Sequence, residues 1–115
     1  MTFDEYQNQT KSYELMQRSE TINANDPAHV AKILGLVGEA GEVAEKYKKI
    51  IRDKAGKITP EDAQEIIKEL GDVLWYVAVL ADYLGMPLEA VAEANLQKLS
   101  SRKARGVQAG SGDNR

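Results

Sequence analysis

The sequence predicts an all-α fold: a four-helix-bundle-type domain that assembles into an oligomer and ends in a loose C-terminal tail. Three observations predict it. Apolar residues recur every three to four positions in four separate segments, the period of a helix face rather than the alternation of a strand. Asp26-Pro27 and Thr59-Pro60 each join a capping side chain to a proline at the first helical position. The segment "DVLWYVAVLADYL" is apolar on more than one side, which a helix wetted along one face does not need. With 115 residues the chain forms one domain, divided into a helical body at 1–105 and a flexible tail or flap at 106–115.

The first helix is expected from about Thr2 to Ser19, with Phe3, Tyr6, Tyr13 and Met16 near one side, until "ETINANDP" breaks it. The second runs from about Pro27 to Lys54. Its stripe is Val30, Ile33, Leu34, Val37, Ala40, Ala44 and Ile51, and Gly56 stops it. "KITPEDAQE" opens the third: Thr59 caps, Pro60 follows, and Glu61 and Asp62 suit the positive end of the helix dipole. Its stripe is Ile66, Leu70, Val73, Leu74, Val77, Ala81 and Leu84, and Gly85 ends it. The fourth is "MPLEAVAEANLQKLSSRK", with Leu88, Val91, Ala92, Leu96 and Leu99 on its buried side. The doubly apolar third helix is expected at a subunit interface, so the chain's partner is itself, as homodimer or homotetramer.

Composition narrows the chemistry. Apolar residues are 43% of the chain, charged residues 29%, and the net charge is -3, so neither a nucleic-acid nor a membrane partner is expected. The absence of cysteine removes disulfides, zinc-thiolate and iron–sulfur sites and thiol nucleophiles. One histidine, His29, leaves little room for an imidazole metal site or a Ser-His-Asp triad. The opening "MTFDEYQNQTK" lacks the apolar core of a signal peptide, and the cytoplasm is the expected location.

The chemistry lies in "GLVGEAGEVAEKYKK" and "KELGDVLWY". Glu39 and Glu42 are three residues apart on the second helix, and so are Glu69 and Asp72 on the third. Residues at that spacing point to nearly the same side, so two antiparallel helices can turn their acid pairs toward each other. One such pair reads as a solvated helix face. Two pairs on consecutive helices, each beside a glycine and bordering an apolar stripe, favour a site. Four carboxylates without imidazole make a hard oxygen donor set, suited to Mg²⁺ with Mn²⁺ as the alternative ion. Gly35, Gly38 and Gly71 are expected to leave room beside the acids for a ligand or a close-packed helix. A carboxylate–Mg²⁺ cluster usually handles phosphates, whose charge needs cations. The second helix offers Lys46, Lys48, Lys49 and Arg52, and the fourth Lys98, Arg102, Lys103 and Arg105. Asn95 lies close to the fourth helix's apolar stripe, where its amide needs a partner: another helix or a ligand. The competing reading is a non-catalytic helical oligomerisation module with a solvated acidic face, which predicts no effect of Mg²⁺ on thermal stability.

The acid motifs "GEAGEVAE" and "KELGDVLWY", followed by "ANLQKLSSR", resemble the MazG-like family of all-α nucleoside triphosphate pyrophosphohydrolases, over nearly the whole chain from about Tyr6. One position departs: Gly38 stands where many members carry the first of two adjacent glutamates. The resemblance implies hydrolysis of (deoxy)nucleoside triphosphates to monophosphate and pyrophosphate, in nucleotide-pool control or house-cleaning. It implies Mg²⁺ held by Glu39, Glu42, Glu69 and Asp72. It implies substrate contacts from Tyr76, Asn95, Lys98 and Arg102; Lys49, among the cations of the second helix, is a further candidate for substrate binding. Glu42 is the first choice as catalytic base, with Glu39 beside it.

Overall fold

A computed structural model of the chain describes residues 1–115, and every regular element in it is helical. The helices are α1 (Phe3–Thr10), α2 (Pro27–Lys54), α3 (Pro60–Tyr83) and α4 (Leu88–Ala104), with a 3₁₀ turn at Lys11–Tyr13. Local chemistry accounts for their starts. Thr2 and Glu5 form a reciprocal capping box, as do Thr59 and Asp62. Asp26 accepts from the Ala28 N–H ahead of α2. The second helix closes through Ala55, a non-glycine residue at φ 53°, followed by Gly56 at φ 79°.

The first helix ends well before Ser19. Its last turn tightens into the 3₁₀ turn, and Glu14 then leaves in an extended conformation. The departure has a long-range cause. The Glu14 carboxylate is drawn onto α2 and α3, pairing with Lys32 Nζ at 2.7 Å and accepting from the Tyr83 hydroxyl at 2.8 Å.

Helices α2 and α3 form an antiparallel hairpin across the loop at 55–59. Its register is marked by Lys54 with Asp62, Lys46 with Glu65 and Glu69, and Gly35 with Tyr76. The fourth helix turns away from α3 by 101°. Gln7 pins that corner: its amide donates to the Ala78 and Met86 carbonyls at 3.1 and 3.0 Å, and its oxygen accepts from the Leu88 N–H at 3.0 Å. Leu88 has no capping side chain of its own before it, so a buried glutamine from α1 satisfies the first turn of α4.

One chain therefore supplies a hairpin with two appendages, not a closed bundle. Its radius of gyration is 17.0 Å, against about 13 Å for a compact domain of this length. Only 13 of 115 residues are buried, too few to use the apolar stripes. Ile33, Leu34, Val37 and Ile51 on α2, Leu70 and Leu74 on α3, and Leu96 and Leu99 on α4 are all exposed. The side of α2 that meets α3 instead carries His29, Lys32, Gly35, Glu39 and Lys46. No single helix is long and apolar enough to cross a membrane.

Candidate metal centre

The hairpin register brings the two acid pairs face to face. Carboxylate oxygens of Glu39 from α2 and of Glu69 and Asp72 from α3 lie within 4.8 Å of one another. Glu39 and Glu69 are half-buried and Asp72 is exposed, so the cluster sits at the rim of the hairpin with one side open. Glu42, one turn further along α2, stays outside that group and is exposed, yet near enough for its charge to act on Glu39. Burial, then the charges of Asp72, Glu69 and Glu42, raise the Glu39 carboxyl above its usual range. The one cation against the cluster is Lys46, 3.5 Å from Glu69 and 3.8 Å from Glu65.

Two tyrosines border the acids. Tyr76, one turn beyond Asp72, lays its ring where a side chain at Gly35 would be, so the third helix can approach α2 only because that position is glycine. Around Gly38, Gly41 and Gly71 there is open space, the room expected beside the acids at Gly38 and Gly71. Tyr6 arrives from α1; burial and the charge of Asp72 both raise its hydroxyl pKa. Sequence spacing gave no signal for Tyr6, which comes to the acids only through the packing of α1.

Apart from Lys46, the basic candidates do not pair with the clustered acids within one chain. Lys49 is exposed and pairs with Glu45 at 3.7 Å. Asn95, Lys98 and Arg102 ride on α4. About 16 Å of helix, at 1.5 Å per residue, separates Asp72 from Tyr83, and α4 then departs at 101°. Asn95 lies in an open, mostly apolar groove with Met86, Val91 and Lys98. Lys98 and Arg102 contact the tail: both reach Asp113, at 3.2 and 3.3 Å.

A second polar cluster, absent from the sequence reading, lies further along the hairpin. Lys32 is buried, paired with Glu14, and its ammonium stands 5.9 Å from the Trp75 ring and 5.8 Å from the Tyr83 ring. His29 meets Tyr83 edge to face, with ring centroids 5.6 Å apart. A cavity of about 500 Å³ opens beside it, lined in part by Glu14, Arg18, Asp82 and Tyr83. The available signal was Lys32 at helical spacing from His29 and Gly35, a polar residue in register with the α2 face that meets α3.

Comparison with known proteins agrees with the family resemblance. The model of the family described as the MazG nucleotide pyrophosphohydrolase domain matches residues 19–107. The chain is 61% identical over 82 residues to the Gene 37 protein of Mycobacterium phage L5, covering 71% of this chain and 72% of that protein. It is 40% identical over 72 residues to the uncharacterized protein YvdC of Bacillus subtilis (strain 168), covering 58% of this chain and 68% of that protein. No solved structure matches.

Proposed function

Because the chain belongs to the MazG nucleotide pyrophosphohydrolase family, we propose that it hydrolyses (deoxy)nucleoside triphosphates to the monophosphate and pyrophosphate in a reaction that depends on Mg²⁺, Mn²⁺ being the alternative ion. The observation that carries this reading is the convergence of Glu39, Glu69 and Asp72 oxygens from two helices within 4.8 Å. The donor set fits such an ion. It is all carboxylate oxygen, and like charges raise the Glu39 carboxyl, the condition a divalent cation relieves. Glu39, Glu69 and Asp72 would hold the ion, with Glu42 one turn along α2. A bound Mg²⁺ supplies neutralisation of phosphate oxygens and of the pyrophosphate leaving group.

The chain's own residues do the rest. Glu42 is the base, because its exposed carboxylate lies outside the three-oxygen group and is free to take a proton from the attacking water. Tyr76, braced against Gly35, offers its hydroxyl to a phosphate oxygen. Asn95, Lys98, Arg102 and Lys49 bind the triphosphate. Since α4 leaves its own hairpin, we assign the approach of α4 to the acids to a second copy of the chain, packed on the exposed apolar face of α2 and α3.

The test is pyrophosphate release from a panel of NTPs and dNTPs with Mg²⁺. Glu42→Gln is expected to lose about a hundredfold or more in turnover, the scale of a missing general base. Asp72→Asn is expected to lose, in addition, the rise in melting temperature that Mg²⁺ gives the wild type. That rise corresponds to about 2.7 kcal/mol when the ion is at a hundred times its dissociation constant. Folded variants with wild-type turnover, or a melting temperature indifferent to Mg²⁺, would overturn the assignment in favour of a non-catalytic oligomerisation module.

A further inference from the structure

Arg102 is assigned above to the substrate, yet in the folded chain solvent hardly reaches it. It is 6% exposed, and the tail after α4 accounts for its hydrogen bonds. Its Nη2 donates to the carbonyls of Gly112 and Asp113 at 3.3 and 3.0 Å and to Asp113 Oδ1 at 3.3 Å. Its Nε is buried with no partner. One turn earlier on α4, Lys98 Nζ donates to the same Asp113 Oδ1 at 3.2 Å. A single carboxylate oxygen is thus shared by an ammonium and a guanidinium four residues apart. Hydrogen bonds from Lys98, backed by its charge and by Arg102, hold the Asp113 carboxyl below its usual range.

That geometry is an anion site already holding an anion. A phosphate group brings more negative charge than one carboxylate and three acceptor oxygens, so it can replace Asp113 Oδ1 as the partner of Lys98 Nζ and Arg102 Nη2. We propose that, in the free chain, Asp113 occupies the Lys98–Arg102 site assigned above to the triphosphate, so that the tail competes with the substrate's phosphates and gives up this contact when they bind. The identity of the competing anion as a nucleotide's polyphosphate rests on the function proposed above. The tail is built to allow the exchange. Its other ties do not use the Asp113 carboxylate: Arg115 donates to the carbonyls of Val107, Gln108 and Gly112, and Arg105 donates to the main-chain oxygen of Arg115. The Asp113 side chain is 83% exposed and is free to swing outward while those ties persist. Most of this strap lies beyond residue 107, outside the residues matched to the family.

The experiment measures binding of inorganic tripolyphosphate to the full chain by calorimetry, in the presence of a chelator. Asp113→Asn keeps the side chain's size and removes its charge. It is expected to tighten binding about fivefold, the scale of one exposed ion pair. Lys98→Ala added to Asp113→Asn is expected to cancel the gain. With nucleotide and Mg²⁺, Asp113→Asn is expected to lower KM and leave kcat unchanged. An unchanged or weaker dissociation constant for Asp113→Asn overturns the proposal, and so does absence of binding to either protein. Because the chelator removes hydrolysis from the binding measurement, a failure of the subsite is distinguishable from a failure of the pyrophosphohydrolase reading, which only the pyrophosphate assay addresses.

Discussion

At the scale of single residues, two glutamates pull stability in opposite directions with pH. Burial by itself pushes the Glu14 carboxyl up, but the Lys32 ammonium, the Met16 N–H and the Tyr83 hydroxyl outweigh it and hold the carboxyl below 4.5. Its folded value lies under its unfolded one, so its contribution is present above about pH 4.5 and is lost as pH falls through the folded value. Glu39 is the reverse case. Burial and three neighbouring acids raise it, so its ionised form opposes folding, and stability from this residue falls as pH rises out of the ordinary carboxylate range. Glu14→Gln would leave Lys32, 5% exposed, without its counter-charge. The expected loss at neutral pH is about 3 kcal/mol, as for one partner removed from a buried pair. Urea unfolding at pH 7 and pH 3 checks this: the difference between wild type and variant should shrink at the lower pH. An equal difference at both would mean that the pair contributes through packing and not through charge.

At the scale of the element, the second helix carries three glycines for different reasons. A Cβ at Gly35 would run into the Tyr76 ring, so substitution must push that ring or the third helix away. Gly41 faces open space, and there a glycine only weakens the helix, by ~1 kcal/mol relative to alanine. Gly35→Ala is therefore expected to destabilise by about 1–3 kcal/mol, as overpacking does, and to displace Tyr76 from beside Asp72. Gly41→Ala is expected to stabilise by about 0.5–1 kcal/mol. Thermal or urea unfolding of the two variants separates these signs, and equal effects of both would remove the argument for a required close approach at Gly35. The end of α1 follows the same logic. The sequence lets a helix run to Ser19, but the ion pair between Glu14 and Lys32 takes the chain out of it after the 3₁₀ turn.

At the scale of the whole molecule, the dominant fact is unsatisfied apolar surface. Leu34, Val37 and Ile51 are each about two-thirds exposed, and α3 adds Leu70 and Leu74. The second copy proposed above would account for residues with the spacing of a core lying on the outside of a single chain, and would offer the bases of α4 a route to the acids of another hairpin. Leu34→Glu is expected to shift the protein from a multiple of the chain mass to the monomer in light scattering, and to lower pyrophosphate release at least tenfold, since binding of the triphosphate would lose its cations. A wild-type protein that runs as a monomer at tens of micromolar would remove this account of the apolar face.

The sequence by itself determined the all-helical architecture, the starts of α2 and α3 through their caps, and the family through Glu39, Glu42, Glu69 and Asp72, because periodicity, capping and motif spacing are local properties. It also implied the antiparallel approach of two acid pairs, since a short loop between long helices leaves few other arrangements. Only the tertiary structure decided which side of α2 meets α3, that Gly35 and not its neighbours is required for contact, that Tyr6 and Lys32 enter the inner face, and that Asp113 takes the cations of α4. Those outcomes depend on contacts between residues tens of positions apart or on side-chain reach across a bend in the chain. A one-dimensional pattern cannot encode them, because the apolar stripe that looks like a core is the same whether its partner is another helix of the chain or a second molecule.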